Sequence, residues 1–222
     1  ESVAASSRTA VAWCSLGAKP RATSFPTVRT SMPAGTMALG AMTRGLPTTL
    51  QGAVEAGGSG PLFNGRVFSI DAITPRHIIG HLTEYRRLVA QMEDHSLFPA
   101  LGIRSLSTCG VLRGAGGVAI GRRPAAAIYQ PGMWQLAPAG SVDAQAVRPD
   151  GSVDLAAQVL RELEEELGLR TAQIGRPMPL CVVEHPGSHV SDCGMAMTTP
   201  LSAEAVLHAH RTRGNGEYDP LR

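Results

Sequence analysis

The stretch from Asp154 to Gly168 reads as a single amphipathic helix, and the rest of the chain must supply a surface for it to pack on. Leu155, Val159, Leu160, Leu163 and Leu167 form an apolar stripe. Asp154 stands where an N-cap belongs and Gly168 where a helix stops. On the polar side, Glu162, Glu165 and Glu166 lie at i, i+3 and i+4, so their carboxylates project from one face within reach of each other. Three like charges there weaken the helix unless a cation neutralises them, and hard oxygen ligands favour Mg²⁺ or Mn²⁺. Arg161 is a counter-charge that can orient one carboxylate. Taken alone, the triplet is more simply the exposed acidic face of an ordinary helix, for which glutamate is a good former.

The neighbouring segments predict a mixed α/β chain. Arg66–Ile73 alternates like a short strand, and Pro75 opens a segment with Ile78, Ile79, Leu82, Tyr85, Leu88, Val89 and Met92 at helical spacing. Leu106–Arg113 and Val118–Arg123, joined by Gly114-Ala115-Gly116-Gly117, read as a β-hairpin. Trp134–Leu136, Leu180–His185 and Gly194–Thr198 read as strands, and Ser202–His210 as a short helix. The length of 222 residues suits one domain with appendages. A net charge of +2 creates no field favouring nucleic acid or an anionic membrane. No apolar run approaches the length of a membrane-spanning helix. Cys14, Cys109, Cys181 and Cys193 are far apart with no Cys-x-x-Cys pair, which makes a reducing, cytoplasmic setting the default.

The head of the chain differs in character. Between Ser2 and Val54 there is no Asp or Glu, while Arg8, Lys19, Arg21, Arg29 and Arg44 are all positive. Residues 1–60 lack hydrophobic periodicity and are expected to form a poorly ordered extension, dispensable for chemistry. Their acid-free, Arg- and Ser/Thr-rich composition also resembles an organellar transit peptide, the alternative to a cytoplasmic location. Structured sequence is expected from near Leu62, with 61–104 as an N-terminal α/β appendage and 105–222 as the main domain.

Several motifs fail on inspection. Walker A needs Gly-Lys-Ser/Thr, but the only lysine, Lys19, precedes Pro20. Gly114-x-Gly116-x-x-Ala119 leads into a strand rather than the helix N-terminus that a dinucleotide site requires. His77 and His81 lack the intervening Glu of a zinc-peptidase helix and read as a solvated helix face. No Gly-x-Ser-x-Gly elbow occurs.

The surroundings of the acidic helix change how the triplet reads. Arg161-Glu162-Leu163-x-Glu165-Glu166-x-Gly168-Leu169 resembles the second half of the Nudix box at every defined position. Upstream, Tyr129–Gly140 resembles the strand and loop entering that box, and Gly121-Arg122-Arg123 the basic end of the strand before it. From about Leu106 onward the chain resembles a Nudix hydrolase. It departs from the box where the first glutamate is expected, which is Val153 here, with Asp154 beside it. Residues Ala144–Gly151 resemble an insertion, expected to be a mobile loop over the substrate cleft. Soon after Glu217-Tyr218-Asp219 the sequence ends, where the family continues with a further strand and a closing helix, so the domain reads as truncated at its C-terminus.

The resemblance implies an α/β/α sandwich around a mixed sheet. It implies cleavage of the diphosphate of a nucleoside diphosphate linked to another moiety, with Mg²⁺ or Mn²⁺ as cofactor and a small-molecule nucleotide as partner. Carried onto this sequence, Glu162, Glu165 and Glu166 are metal ligands, one of them relaying a proton. The Gly140 carbonyl is a further ligand, Arg161 an orienter, and Glu217 a late-loop ligand or base. The order Phe63-Asn64-Gly65, Leu82-Thr83-Glu84-Tyr85-Arg86, Gly110-Val111-Leu112 and Gly121-Arg122-Arg123 resembles the group acting on UDP-sugars. The alternative function is a non-catalytic Nudix-fold nucleotide-binding module. An isopentenyl diphosphate isomerase needs a cysteine in a Cys/His-rich strand, which Cys109 does not have.

Overall fold

The computed structural model describes residues 26–31 and 65–222. Strand β1 is Thr27–Thr30, β2 Arg66–Ile73 and β3 His77–Glu84, followed by helix α1, Tyr85–Glu93, and the short helix α2, Phe98–Leu101. Next come β4 (Leu106–Gly114), β5 (Gly117–Val118), β6 (Ile120–Arg122), β7 (Trp134–Leu136) and β8 (Ala139–Ser141). Helix α3 (Leu155–Leu167), strands β9 (Met178–Glu184) and β10 (Ser191–Thr198), and helix α4 (Ala203–Arg213) complete the order. The result is the mixed α/β architecture expected from the sequence.

The main sheet runs β5-β4-β10-β9, with β8 also paired to β4. It is mixed, because β4 and β10 are parallel while β9 and β8 are antiparallel to their neighbours. One face of it packs Leu106, Leu112, Cys193, Met195 and Met197 against Val159, Leu163 and Leu167 of α3 and Val206 of α4. Leu155, Val159, Leu163 and Leu167 of the predicted stripe are thus the seam of the core, each stabilising the fold by roughly 1.5–3 kcal/mol, while Leu160 is half-buried and lies outside it. Asp154 caps the helix by accepting from the Ala157 amide, and Gly168 ends it at φ +62°, a conformation that favours glycine. A tight hairpin forms at Gly114–Gly117, pairing Arg113 with Val118, but its second arm ends there, and Ile120–Arg122 of the expected strand pairs instead with β7 in a separate sheet.

Three further expectations are corrected. His77–Glu84 is a strand and not the start of a helix. Ile78 and Leu82 are four apart, a spacing that suits one helix face and one strand face equally. The strand wins because it pairs with both β1 and β2, and Pro75 sits in a turn where Thr74 Oγ1 accepts from the amides of Arg76 and His77.

The second correction concerns the head. Within 1–60, Thr27–Thr30 is a strand parallel to β3, and Val28 is buried in the main core. The other residues assigned to the extension, and Phe63-Asn64 of the UDP-sugar resemblance, lie outside the described residues.

The third is the Ala144–Gly151 insertion, which is a packed element and not a free loop. Ala144–Ala146 forms a turn of 3₁₀ helix with Ala146 buried, and Val147 bridges Val153. The Thr30 amide donates to Gly151 O, and the Val153 amide to Val28 O, both at 2.9 Å. The insertion therefore anchors β1, and its backbone polar groups are satisfied there instead of by water. Val153, at the position of the missing glutamate, serves the core. At the other end, the amide of Arg222 donates to Ile120 O and that of Ile120 to Arg222 O, so the final residues pair with β6. Among the described residues no helix is long and apolar enough to cross a membrane.

Candidate active site

A cleft of about 1210 Å³ opens where α3, the β7–β8 segment and the outer face of the main sheet meet. Glu162, Glu165, Glu166, Gly140 and Glu217 all line it, so the predicted site residues from distant parts of the chain converge on one space. Tyr85, Leu88 and Met92 of α1 line the opposite side.

Each carboxylate has its own setting. Glu166 is buried, and its Oε2 accepts from the Ala139 amide and from the Tyr218 hydroxyl, each at 2.9 Å. Burial, reinforced by the Glu162 charge, raises its carboxyl well above the usual range despite those two donors. Glu162 accepts from Gln158 Nε2 at 2.6 Å. Burial, and after it the charge of Glu165, pushes its carboxyl up to about 7 against the Gln158 hydrogen bond and Arg161. A Cβ on residue 140 would lie 2.2 Å from Glu162 Oε1, so any larger residue there would displace this carboxylate. Glu165 is the exposed member of the three.

Arg161 turns to the cleft rim. Its Nη2 donates to Asp143 Oδ1 at 2.9 Å and also to Gln158 Oε1. It thereby holds the same amide whose Nε2 donates to Glu162. Glu217 forms an ion pair with Arg123 Nη1 at 2.9 Å, and Arg123 Nε donates to Tyr129 O. Arg148 lies beside Asp154 at the far end of α3, away from the carboxylates.

The C-terminal end of α3 would leave carbonyls unpaired, and the α4 region satisfies them. The Asn215 amide donates to Glu165 O at 2.9 Å and Arg213 Nε to Gly168 O at 2.8 Å. His210 sets its two ring nitrogens against the carbonyls of Glu166 at 3.0 Å and Tyr218 at 3.1 Å. Sequence reasoning missed Tyr218, His210, Asp143 and Gln158. Of these only Gln158 carried a local signal, standing one helical turn before Glu162.

Among the described residues, no three carboxylate, imidazole or thiol groups already stand as a ligand set for a metal ion. Glu166 is turned to Ala139 and Tyr218, and Glu162 to Gln158. The donor chemistry nevertheless fits a hard divalent cation. Two carboxyls are held at raised pKa by burial and by neighbouring negative charge, a condition that a bound cation relieves.

No family model matches the chain. No curated protein matches it. Among solved structures it is similar to DR0079 from Deinococcus radiodurans, at 15% identity and a TM-score of 0.38, over 53% of this chain and 65% of that one. It is also similar to the MutT protein from Methanosarcina mazei Go1, at 23% identity and a TM-score of 0.30, over 45% of this chain and 65% of that one. The chain thus spans just under two thirds of the length of each.

Proposed function

We propose that the protein is a divalent-metal-dependent hydrolase that cleaves the diphosphate linkage of a nucleoside diphosphate joined to another moiety, with nucleotide sugars as the substrate class. The observation that carries this reading is the convergence of Glu162, Glu165 and Glu166 on one cleft, with two of the carboxyls raised by burial and mutual charge. The sequence resemblance of Arg161–Leu169 to the Nudix box supports the same chemistry.

Glu162, Glu165, Glu166 and the Gly140 carbonyl would hold Mg²⁺ or Mn²⁺. Bound there, the ion supplies charge neutralisation for the diphosphate and a more acidic water. Without the ion, burial holds the Glu162 carboxyl up to about 7, and a bound cation would favour the ionised form that serves as its ligand. Gln158 and Arg161 keep that carboxylate aimed into the cleft, and Arg123 holds Glu217 at its edge. The segments Leu82–Arg86 and Gly110–Leu112 contribute Tyr85 and Val111 to the same cleft, in keeping with a nucleotide-sugar ligand.

The test is a panel of nucleoside-diphosphate-linked compounds with Mg²⁺ or Mn²⁺, with products identified by mass spectrometry. Release of a nucleoside monophosphate, lost in Glu165→Gln, is the expected result. Tight nucleotide binding without turnover by the wild type would instead establish the non-catalytic binding module.

A further inference from the structure

The turn between α4 and Tyr218 carries chemistry that the carboxylate site does not use. The chain has two asparagines, Asn64 and Asn215, and each precedes a glycine. Asn64 lies outside the described residues. Asn215 lines the cleft, and both it and Gly216 are exposed. The side-chain carbonyl of an asparagine is an electrophile for the backbone nitrogen that follows it, and glycine hinders that nitrogen least because it has no Cβ. The Gly216 amide has no hydrogen-bond partner among the described residues, so no backbone bond must break to release it. Gly216 has φ +83°, and a Cβ there would meet nothing within 4 Å, so water reaches the attacking nitrogen. Asn215 Oδ1 accepts from the Glu217 amide at 2.9 Å. That donor sits on the oxygen that gathers negative charge when the side-chain carbonyl is attacked, and stabilises it there. Nδ2, the leaving group, has no partner among the described residues.

We propose that Asn215-Gly216 is a self-modification site, at which the rim of the cleft exchanges a neutral amide for a carboxylate. A base in solvent takes the proton from the Gly216 nitrogen, which then bonds to Cγ of Asn215. The Cγ–Nδ2 bond breaks, and Nδ2 takes up a proton and leaves as ammonia. Water opens the resulting cyclic imide at either of its carbonyls, restoring the Gly216 N–H and leaving aspartate or isoaspartate. The sum takes up water and releases ammonia, with no oxidant or reductant. This chemistry proceeds whatever the cleft binds.

The consequence depends on what flanks the pair. On one side the Asn215 amide donates to Glu165 O at 2.9 Å, closing the end of α3. On the other, Glu217 pairs with Arg123 Nη1 at 2.9 Å, and the Tyr218 hydroxyl donates to Glu166. Isoaspartate carries the main chain through the former side-chain carbonyl and so adds a backbone carbon between these anchors. The lengthened turn cannot hold both in their present places. Either product also adds a negative charge to a rim that Glu165 and Glu217 already line.

The experiment is ageing of the full chain in mildly alkaline buffer, beside a synthetic peptide of residues 210–219. Samples taken at intervals are mapped by mass spectrometry and labelled by enzymatic methylation of isoaspartate. Asn215 is expected to gain the mass of NH2 replaced by OH, no more slowly in the folded chain than in the peptide, with a methyl-accepting isoaspartate at the same position. The rate should rise with pH, because the attacking nitrogen must lose its proton. Mapping resolves Asn64-Gly65 as a separate peptide. Asn215→Gln should abolish the gain at this position, since its longer side chain moves the carbonyl out of reach of the Gly216 nitrogen. The aged, more acidic fraction is expected to melt below the fresh protein, whereas Asn215→Asp, with the same charge and an unlengthened backbone, should keep the wild-type Tm. An Asn215 that stays intact in the folded chain, or reacts more slowly there than in the peptide, overturns the site. An aged fraction that melts with the fresh protein, or an Asn215→Asp variant that melts with the aged fraction, overturns the displacement of the flanking anchors.

Discussion

The hydroxyl of Tyr218 donates to the buried carboxylate of Glu166 across 52 residues of sequence, at 2.9 Å. Gln135 Nε2 donates to the same hydroxyl at 3.0 Å, so β7, α3 and the C-terminal segment meet at one point. This contact decides where the innermost carboxylate of the cleft points. Tyr218→Phe should therefore lower stability by about 0.5–1.5 kcal/mol, the range for a hydrogen bond that is not charge-assisted, since burial disfavours the ionised form of Glu166. It should also raise the metal concentration needed for half-maximal turnover. Denaturant titration and a Mg²⁺ activation curve check the two effects separately.

Glu165 is exposed and its side chain contributes little to the fold. Glu165→Gln should leave the Tm within a degree or two while reducing turnover at limiting Mg²⁺ by at least about 100-fold, beyond the ~10–100-fold typical of outer-shell partners. Wild-type turnover in this variant would remove Glu165 from the metal site.

The raised carboxyl of Glu162 makes metal-free stability depend on pH. Its folded value of about 7 exceeds the ordinary 4.5, so the native state holds its proton more tightly than the unfolded chain does. The contribution is fully present below about pH 4.5 and is lost as pH rises through about 7. It is on the order of 3 kcal/mol. Thermal melts in chelator should show a falling Tm across this window. Glu162→Gln should flatten that slope, and added Mg²⁺ should reverse it by favouring the ionised form.

Gly140→Ala places a methyl group 2.2 Å from Glu162 Oε1, so the end of the Glu162 side chain must swing away. A stability loss of about 1–3 kcal/mol, typical of overpacking, should accompany a larger fractional loss of turnover. Crystallography of the variant should find the Glu162 side chain displaced.

Val28 and the Ala144–Gly151 segment support each other. Val28→Ala should cost about 1–3 kcal/mol. Replacing Ala144–Gly151 by a Gly/Ser linker should lower the Tm and expose residues 26–31 to protease. This outcome is the reverse of that for a free loop, for which only substrate ranking would change.

The amino-acid sequence by itself determined the elements whose signals are local. The α3 stripe, its Asp154 cap and its Gly168 stop all lie within one run of residues, and so does the Gly114–Gly117 hairpin. The convergence of Glu162, Glu165 and Glu166 follows from helical periodicity alone. What only tertiary structure decided depends on partners far along the chain. Ile78 and Leu82 satisfy both periodicities, and only pairing with β1 and β2 makes their segment a strand. Thr27–Thr30, in a stretch without apolar pattern, becomes a strand because β3 and the insertion supply its hydrogen bonds. The direction of each carboxylate is likewise set from outside the helix: Glu166 by Tyr218 and Ala139, Glu162 by the space that Gly140 leaves open. Helical geometry places side chains on a face, but their ionisation and aim depend on burial and on donors brought by other elements, and no local pattern encodes those.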